Sequence, residues 1–121
     1  MNKVMNTKIW LIIIALMHTF MGVLIPILEH GNTDNLGVFL YFFVLSAYLF
    51  YVIIFTKNQT QDRLGVVLCA PMVIWFVFSA FMKLEMYGFP IAPMPQALMP
   101  IIFWSMPVIS GIYNWNSDKD K

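Results

Sequence analysis

The sequence predicts an all-α integral membrane protein, an antiparallel four-helix bundle with both termini in the cytoplasm. Three observations carry this expectation. Only 11% of the 121 residues are charged, while 60% are hydrophobic; a soluble domain carries roughly 25% charged residues. Four stretches of about 20 residues hold no charged side chain, the length a helix needs to cross about 30 Å of hydrocarbon. The cations also segregate. Lys3, Lys8, Lys57, Arg63, Lys119 and Lys121 fall on one side of a four-span arrangement, and Lys83 alone falls on the other. The positive-inside rule then places both ends of the chain in the cytoplasm. The same composition excludes a water-soluble globule, a disordered chain and a disulfide framework, since Cys69 is the single cysteine. A net charge of +1 leaves no nucleic-acid footprint.

The first stretch is Ile9–Leu28, 20 residues. Lys3 and Lys8 precede it, but its apolar run is too long for a cleavable signal peptide and no A-x-A site follows. The second, Leu36–Phe55, holds fourteen Leu, Ile, Val or Phe, together worth about −6 kcal/mol of insertion free energy. The third is Leu64–Met82. The fourth, Met94–Tyr113, is the weakest: it holds seven such residues, with Gln96, Pro95, Pro100 and Pro107, so its insertion relies on the other helices. The connections Glu29–Asn35, Lys57–Arg63 and Lys83–Pro93 are short, which favours antiparallel neighbours in one membrane domain over residues 1–121. Two-helix halves would enter from the same side, so an inverted-repeat transporter is not available within one chain. Trp10, Tyr51, Phe55, Tyr113 and Trp115 fall near the inner interface, and Tyr41, Tyr87 and Phe89 near the outer one, the depths amphipathic rings prefer.

His18 is the tenth residue of the first stretch. An ionisable group at mid-membrane is rare and faces the bundle interior or a wet cavity. Helical spacing puts Leu11, Ala15, Gly22, Ile25 and Glu29 on its face, with Glu29 about 16 Å outward. Ala15 and Gly22 are small enough for another helix to approach closely. The other spans place Ser46, Trp75, Ser79, Trp104 and Ser105 at similar depth. An indole N–H only donates and a neutral imidazole accepts at one nitrogen, so hydrogen bonds between these groups are chemically sensible. The serines and tryptophans are equally readable as packing residues, and His18 as a satisfied interior residue. Pro26, Pro71, Pro100 and Pro107 would each deprive the carbonyl four residues earlier of its partner, which suggests a kinked bundle with an internal cavity.

Other chemistries lack a full set of parts. His18 and His30 stand about 18 Å apart along one helix, so one chain cannot clamp a haem between them. Ten methionines include the M-x₃-M pairs Met17–Met21 and Met82–Met86, but no Met/Cys/His cluster completes a copper site, and methionine fills irregular gaps well. Cys69 lies in apolar surroundings without a Cys-x-x-Cys partner, where a thiol is inert. No metal site, Ser/His/Asp set or phosphate loop is present, and no cofactor is named by the residues. The outer segment holds Glu29, His30, Asp34, Lys83 and Glu85, a rim that reads as solvated acids or as a weak cation site. Gly88, Pro90, Pro93 and Pro95 forbid regular helix there, and with Tyr87 and Phe89 the Lys83–Pro95 segment could lie on the surface as a lid.

A four-span chain with Trp10, His18 and Gly22 in its first helix and a Gly88-Phe89-Pro90 turn before its last resembles the small DoxX-like membrane proteins of bacteria. The resemblance implies a multi-pass four-helix protein of the bacterial cytoplasmic membrane with a histidine inside the first helix. Some relatives are associated with quinone-linked oxidoreductases; for the others it implies no activity. Only His18 and Gly22 carry over. Independently of the resemblance, the coincidence of His18, Trp75, Trp104 and proline-freed carbonyls at mid-membrane leads to the expected function: an accessory or non-enzymatic membrane protein that holds a lipophilic molecule, a quinone or a lipid, beside His18. Two other classes stay open. One is a proton or cation transport component using His18 and Glu29, which would require oligomerisation. The other is an interaction protein, such as a bacteriocin immunity protein or a complex subunit, working through the outer faces of Leu36–Phe55.

Overall fold

Asn6 opens the first helix from an extended conformation, and its side chain accepts from the Lys8 N–H at 3.1 Å. This satisfies one of the unpaired donors every helix N-terminus carries. The computed structural model describes residues 5–30, 33–86 and 89–116, with the side chains of 30, 33–35, 86 and 89 also left out. Helix α1 (Thr7–Met17) runs on into a π-helical segment, His18–Leu24, and then α2 (Ile25–His30). Helix α3 spans Thr33–Phe55, α4 Asn58–Phe81 and α5 Leu98–Tyr113. Among the described residues the regular structure is thus all helical apart from one two-residue antiparallel pairing. In it β1 (Glu85–Met86) meets β2 (Phe89–Pro90), with Glu85 opposite Pro90 and Met86 opposite Phe89.

Three rods are long and apolar enough to cross a membrane: Thr7–Glu29, Leu36–Phe55 and Asn58–Phe81. The fourth, Leu98–Tyr113, is apolar but has only 16 residues. Its start corrects the expected boundary at Met94. Residues 94–97 form turns, and the Ala97 N–H donates to the Pro93 carbonyl. Pro100 therefore sits in the first turn of α5, where no intrahelical donor is needed, and the Gln96 carbonyl is not a helical carbonyl that it deprives. Helix α4 departs in the other direction. It begins six residues before Leu64, taking in most of the segment expected as a connection. Lack of charge marks the apolar stretch, whereas a helix satisfies its own backbone and extends into polar sequence. Its first turns also hold the end of α3: the Gln61 amide donates to the carbonyls of Val52, Ile53 and Thr56 at 3.3, 3.3 and 3.0 Å. The Val52 carbonyl also accepts from the Thr56 N–H, while the carbonyls of Ile53 and Thr56 are ones that the end of a helix leaves without intrahelical partners.

The far end of α4 closes differently. Lys83 takes φ 52°, and the Leu84 N–H reaches back to the Ser79 carbonyl at 3.0 Å. This six-to-one bond is how a left-handed residue terminates a helix.

The longest shared surface lies between α4 and α5, while α1 touches α3, α4 and α5. Leu11, Ile14, Ala15, Leu49, Val52, Cys69 and Trp104 form the buried centre. Two glycines set how closely the helices cross. A Cβ at Gly65 would stand 3.2 Å from Thr7 Cγ2, and one at Gly111 only 2.6 Å from the Asp62 carbonyl oxygen. Small residues at such crossings let backbones meet where apolar burial alone gives no drive. The other face of α3 is turned outward, with Tyr41, Tyr48, Tyr51, Ile54 and Phe55 all exposed.

The π segment changes the phase of the first rod. The Ile25 N–H bonds to the Phe20 carbonyl, five residues back. Regular helical spacing puts Ile25 and Glu29 on the face of His18. The wider turn corrects this: Ile25 is 44% exposed, and Pro26 turns inward in its place.

Candidate functional site: an aromatic cavity beside His18

His18 is the first residue of the π segment and is buried. Its Nε2–H donates to the Phe42 main-chain carbonyl on α3 at 2.9 Å. The next residue, Thr19, donates from Oγ1 to Ser46 Oγ at 3.0 Å. Phe42 and Ser46 are one turn apart on α3, so two adjacent residues of the first rod grip two successive turns of its neighbour. The imidazole also meets two rings edge-on: Trp104 with centroids 5.5 Å apart and Phe42 at 6.4 Å. Phe42 in turn stands edge-on to Trp75 at 6.1 Å, and Trp75 to Phe76 at 5.0 Å. Edge-to-face packing of this kind favours fixed ring orientations.

These rings line a half-open cavity of about 390 Å³, within the range of small-molecule sites. His18, Gly22 and Pro26 form one wall, and Trp75 and Trp104 face them from α4 and α5. Pro90 and Ile91, from the segment after β1, also line the cavity. The wall is apolar and aromatic, with the imidazole as its ionisable group.

The structure thus brings four of the sequence-derived candidates together: His18, Gly22, Trp75 and Trp104. The three serines stand elsewhere, which corrects the grouping. Ser46 is occupied with Thr19, and Ser105 Oγ donates to the Ile101 carbonyl of its own helix at 2.6 Å. Ser79 is 1% exposed, with no partner for its Oγ among the described residues. A serine in an apolar helix commonly turns to the carbonyl one turn back, so depth alone does not select a cavity residue. On the rim, Glu29, Lys83 and Glu85 are exposed and do not line the cavity. The side chains of His30 and Asp34 lie outside the described residues, as do Tyr87 and Gly88.

Sequence reasoning missed Phe42. Its carbonyl is a backbone group, which composition does not reveal, although it lies one turn from Ser46. A polar cluster at the opposite end of the bundle was missed too. There Arg63 Nε and Gln59 Nε2 both donate to the Trp115 carbonyl, at 3.1 and 2.9 Å, and the guanidinium lies 5.0 Å over the Trp115 ring. Asn114 Nδ2 donates to the Met5 carbonyl at 2.6 Å, joining the two ends of the chain. No protein-family model, curated protein or solved structure matches the chain.

Proposed function

We propose that the chain is a multi-pass protein of the bacterial cytoplasmic membrane, four helices with both termini inside, that holds a lipophilic small molecule beside His18. The observation that carries the reading is the cavity of about 390 Å³ with a histidine in an otherwise aromatic and aliphatic wall. Water gains little from such a wall, whereas a flat or branched apolar molecule fills it. Three helices long and apolar enough to cross a bilayer support the membrane placement, and the segregation of cations supports the orientation. The resemblance to DoxX-like proteins is retained as part of this proposal, on the strength of His18 and Gly22. The activity is binding, in an accessory role, with a quinone or a lipid as the class of occupant.

Mass spectrometry of protein purified in mild detergent tests it. The native chain is expected to carry a bound lipophilic species, and His18→Leu to lose it while eluting as the same species in size exclusion. Equal retention by both proteins overturns the role of His18. Absence of any bound or bindable lipophile in the native chain overturns the cavity reading itself.

A further inference from the structure

The bond between His18 and Phe42 fixes which hydrogen-bonding face the cavity offers. A main-chain carbonyl only accepts, so Nε2 carries the proton at 2.9 Å from the Phe42 oxygen. In the neutral ring the other nitrogen, Nδ1, is then an acceptor with no hydrogen of its own. Nδ1 lies over Gly22: a Cβ built there would stand 3.0 Å from Nδ1 and 3.4 Å from Cε1. Any other residue at 22 would cover the nitrogen; glycine leaves it open. Among the described residues Nδ1 has no hydrogen bond, and it is not one of the side-chain atoms sealed in protein without a partner.

We infer that the occupant is a flat phenolic ring, of phenol or hydroquinone type, whose hydroxyl donates to Nδ1 of His18. This rests on the cavity reading above and narrows it. Edge-on Trp104 and Phe42, with Trp75 behind, favour an aromatic partner over an acyl chain. An open acceptor in the wall favours an occupant that carries a donor. A quinone in its oxidised form presents only acceptors, and its carbonyl oxygen would face the Nδ1 lone pair. Both oxidation levels have nearly the same shape, so the discrimination comes from the proton on the hydroxyl. Gly22 is the specificity-determining position, because it decides whether Nδ1 is reachable.

Three probes separate the ideas: 2-naphthol, its methyl ether 2-methoxynaphthalene, and 1,4-naphthoquinone. Binding to the purified protein is measured by equilibrium dialysis against empty micelles of the same detergent. Naphthol is expected to bind about tenfold more tightly than the ether, the ratio one well-placed hydrogen bond gives. The quinone should bind no better than the ether. In Gly22→Ala the naphthol advantage should vanish while the ether still binds. Naphthol and ether binding alike, or the quinone binding best, would overturn the inference and leave the cavity reading intact. Binding of none of the three would overturn both. A second measurement needs no cavity variant. In His30→Gln protein labelled with ¹⁵N-histidine, the imidazole signals should show the proton on Nε2 and a bare Nδ1. A proton on Nδ1, alone or with Nε2 also protonated, would refute the assignment.

Discussion

Replacing Gly111 by alanine should loosen the contact between α4 and α5, and the structure gives the size of the effect. Alanine is favoured over glycine in a helix by about 1 kcal/mol. Against that gain, the new Cβ would lie 2.5 Å from Val66 Cγ2 and 2.6 Å from the Asp62 carbonyl oxygen. Carbon and oxygen ordinarily rest about 3.3–3.6 Å apart. Val66 can turn aside, but the Asp62 carbonyl belongs to the α4 backbone, so the helices must part by nearly the whole shortfall. Overpacking of this kind costs about 1–3 kcal/mol, and parting also weakens the close approach that holds membrane helices together. The clash less the gain is a loss of up to about 2 kcal/mol, to which the parting of the helices adds. Gly37 provides the control: it is also helical, and nothing lies within 4 Å of a Cβ there. Gly37→Ala should therefore gain about 1 kcal/mol. Cys69, the single cysteine and fully buried, reports on both. Its rate of labelling by a water-soluble maleimide follows the opening of the bundle. Gly111→Ala should label faster than the native chain, by up to about 30-fold, and Gly37→Ala more slowly. Labelling of Gly111→Ala at the native rate would refute the close crossing.

Thr19→Val removes the bond to Ser46 and leaves a buried hydroxyl unpaired; a loss of about 0.6–1.7 kcal/mol is expected in denaturing-detergent titration, the range for hydrogen bonds between membrane helices. Ser79→Ala should be neutral or stabilising by about 1 kcal/mol in the same titration, because it deletes a buried Oγ that has no partner. Arg63→Leu removes the guanidinium that holds the Trp115 carbonyl and covers its ring. The turn after α5 should then be cut faster by limited proteolysis, with about 0.5–1 kcal/mol lost at this half-exposed site.

The helices were legible because lack of charge over about 20 residues is a property of composition, and the backbone does the rest. Their ends were less so. Asn58–Arg63 is polar yet helical, and the Met94–Ala97 turn is apolar yet not helical, so polarity misled in both directions. Within the site, His18 was visible as an ionisable residue at depth, and Gly22 as its neighbour one turn on. Trp75 and Trp104 were visible as large rings at the same level. The π segment was not, since a wider turn changes hydrogen bonding and not residue type. That one step moved Ile25 out and Pro26 in. The serines are not among the cavity-lining residues: Ser46 and Ser105 find partners in a neighbouring side chain and in their own helix, which depth in the sequence does not reveal. The Phe42 carbonyl belongs to a class of partner that any residue supplies, which is why only three-dimensional placement reveals it.

In the proposed membrane placement, the shortness of α5 would make the bundle a gauge of bilayer thickness. Sixteen residues reach about 24 Å, about 6 Å less than the hydrocarbon they would have to cross. If the chain crosses a bilayer as proposed, lipid that thins locally beside α5 to meet this mismatch does so at a cost on the order of 2 kcal/mol. Such thinning would draw headgroups and water toward the Pro93–Ala97 turn, a few residues from Pro90 and Ile91 in the cavity lining. In the proposed membrane placement, a thinner bilayer relieves this mismatch. Reconstitution in lipids of decreasing acyl length should therefore slow Cys69 labelling, until the three longer rods begin to protrude and the trend reverses.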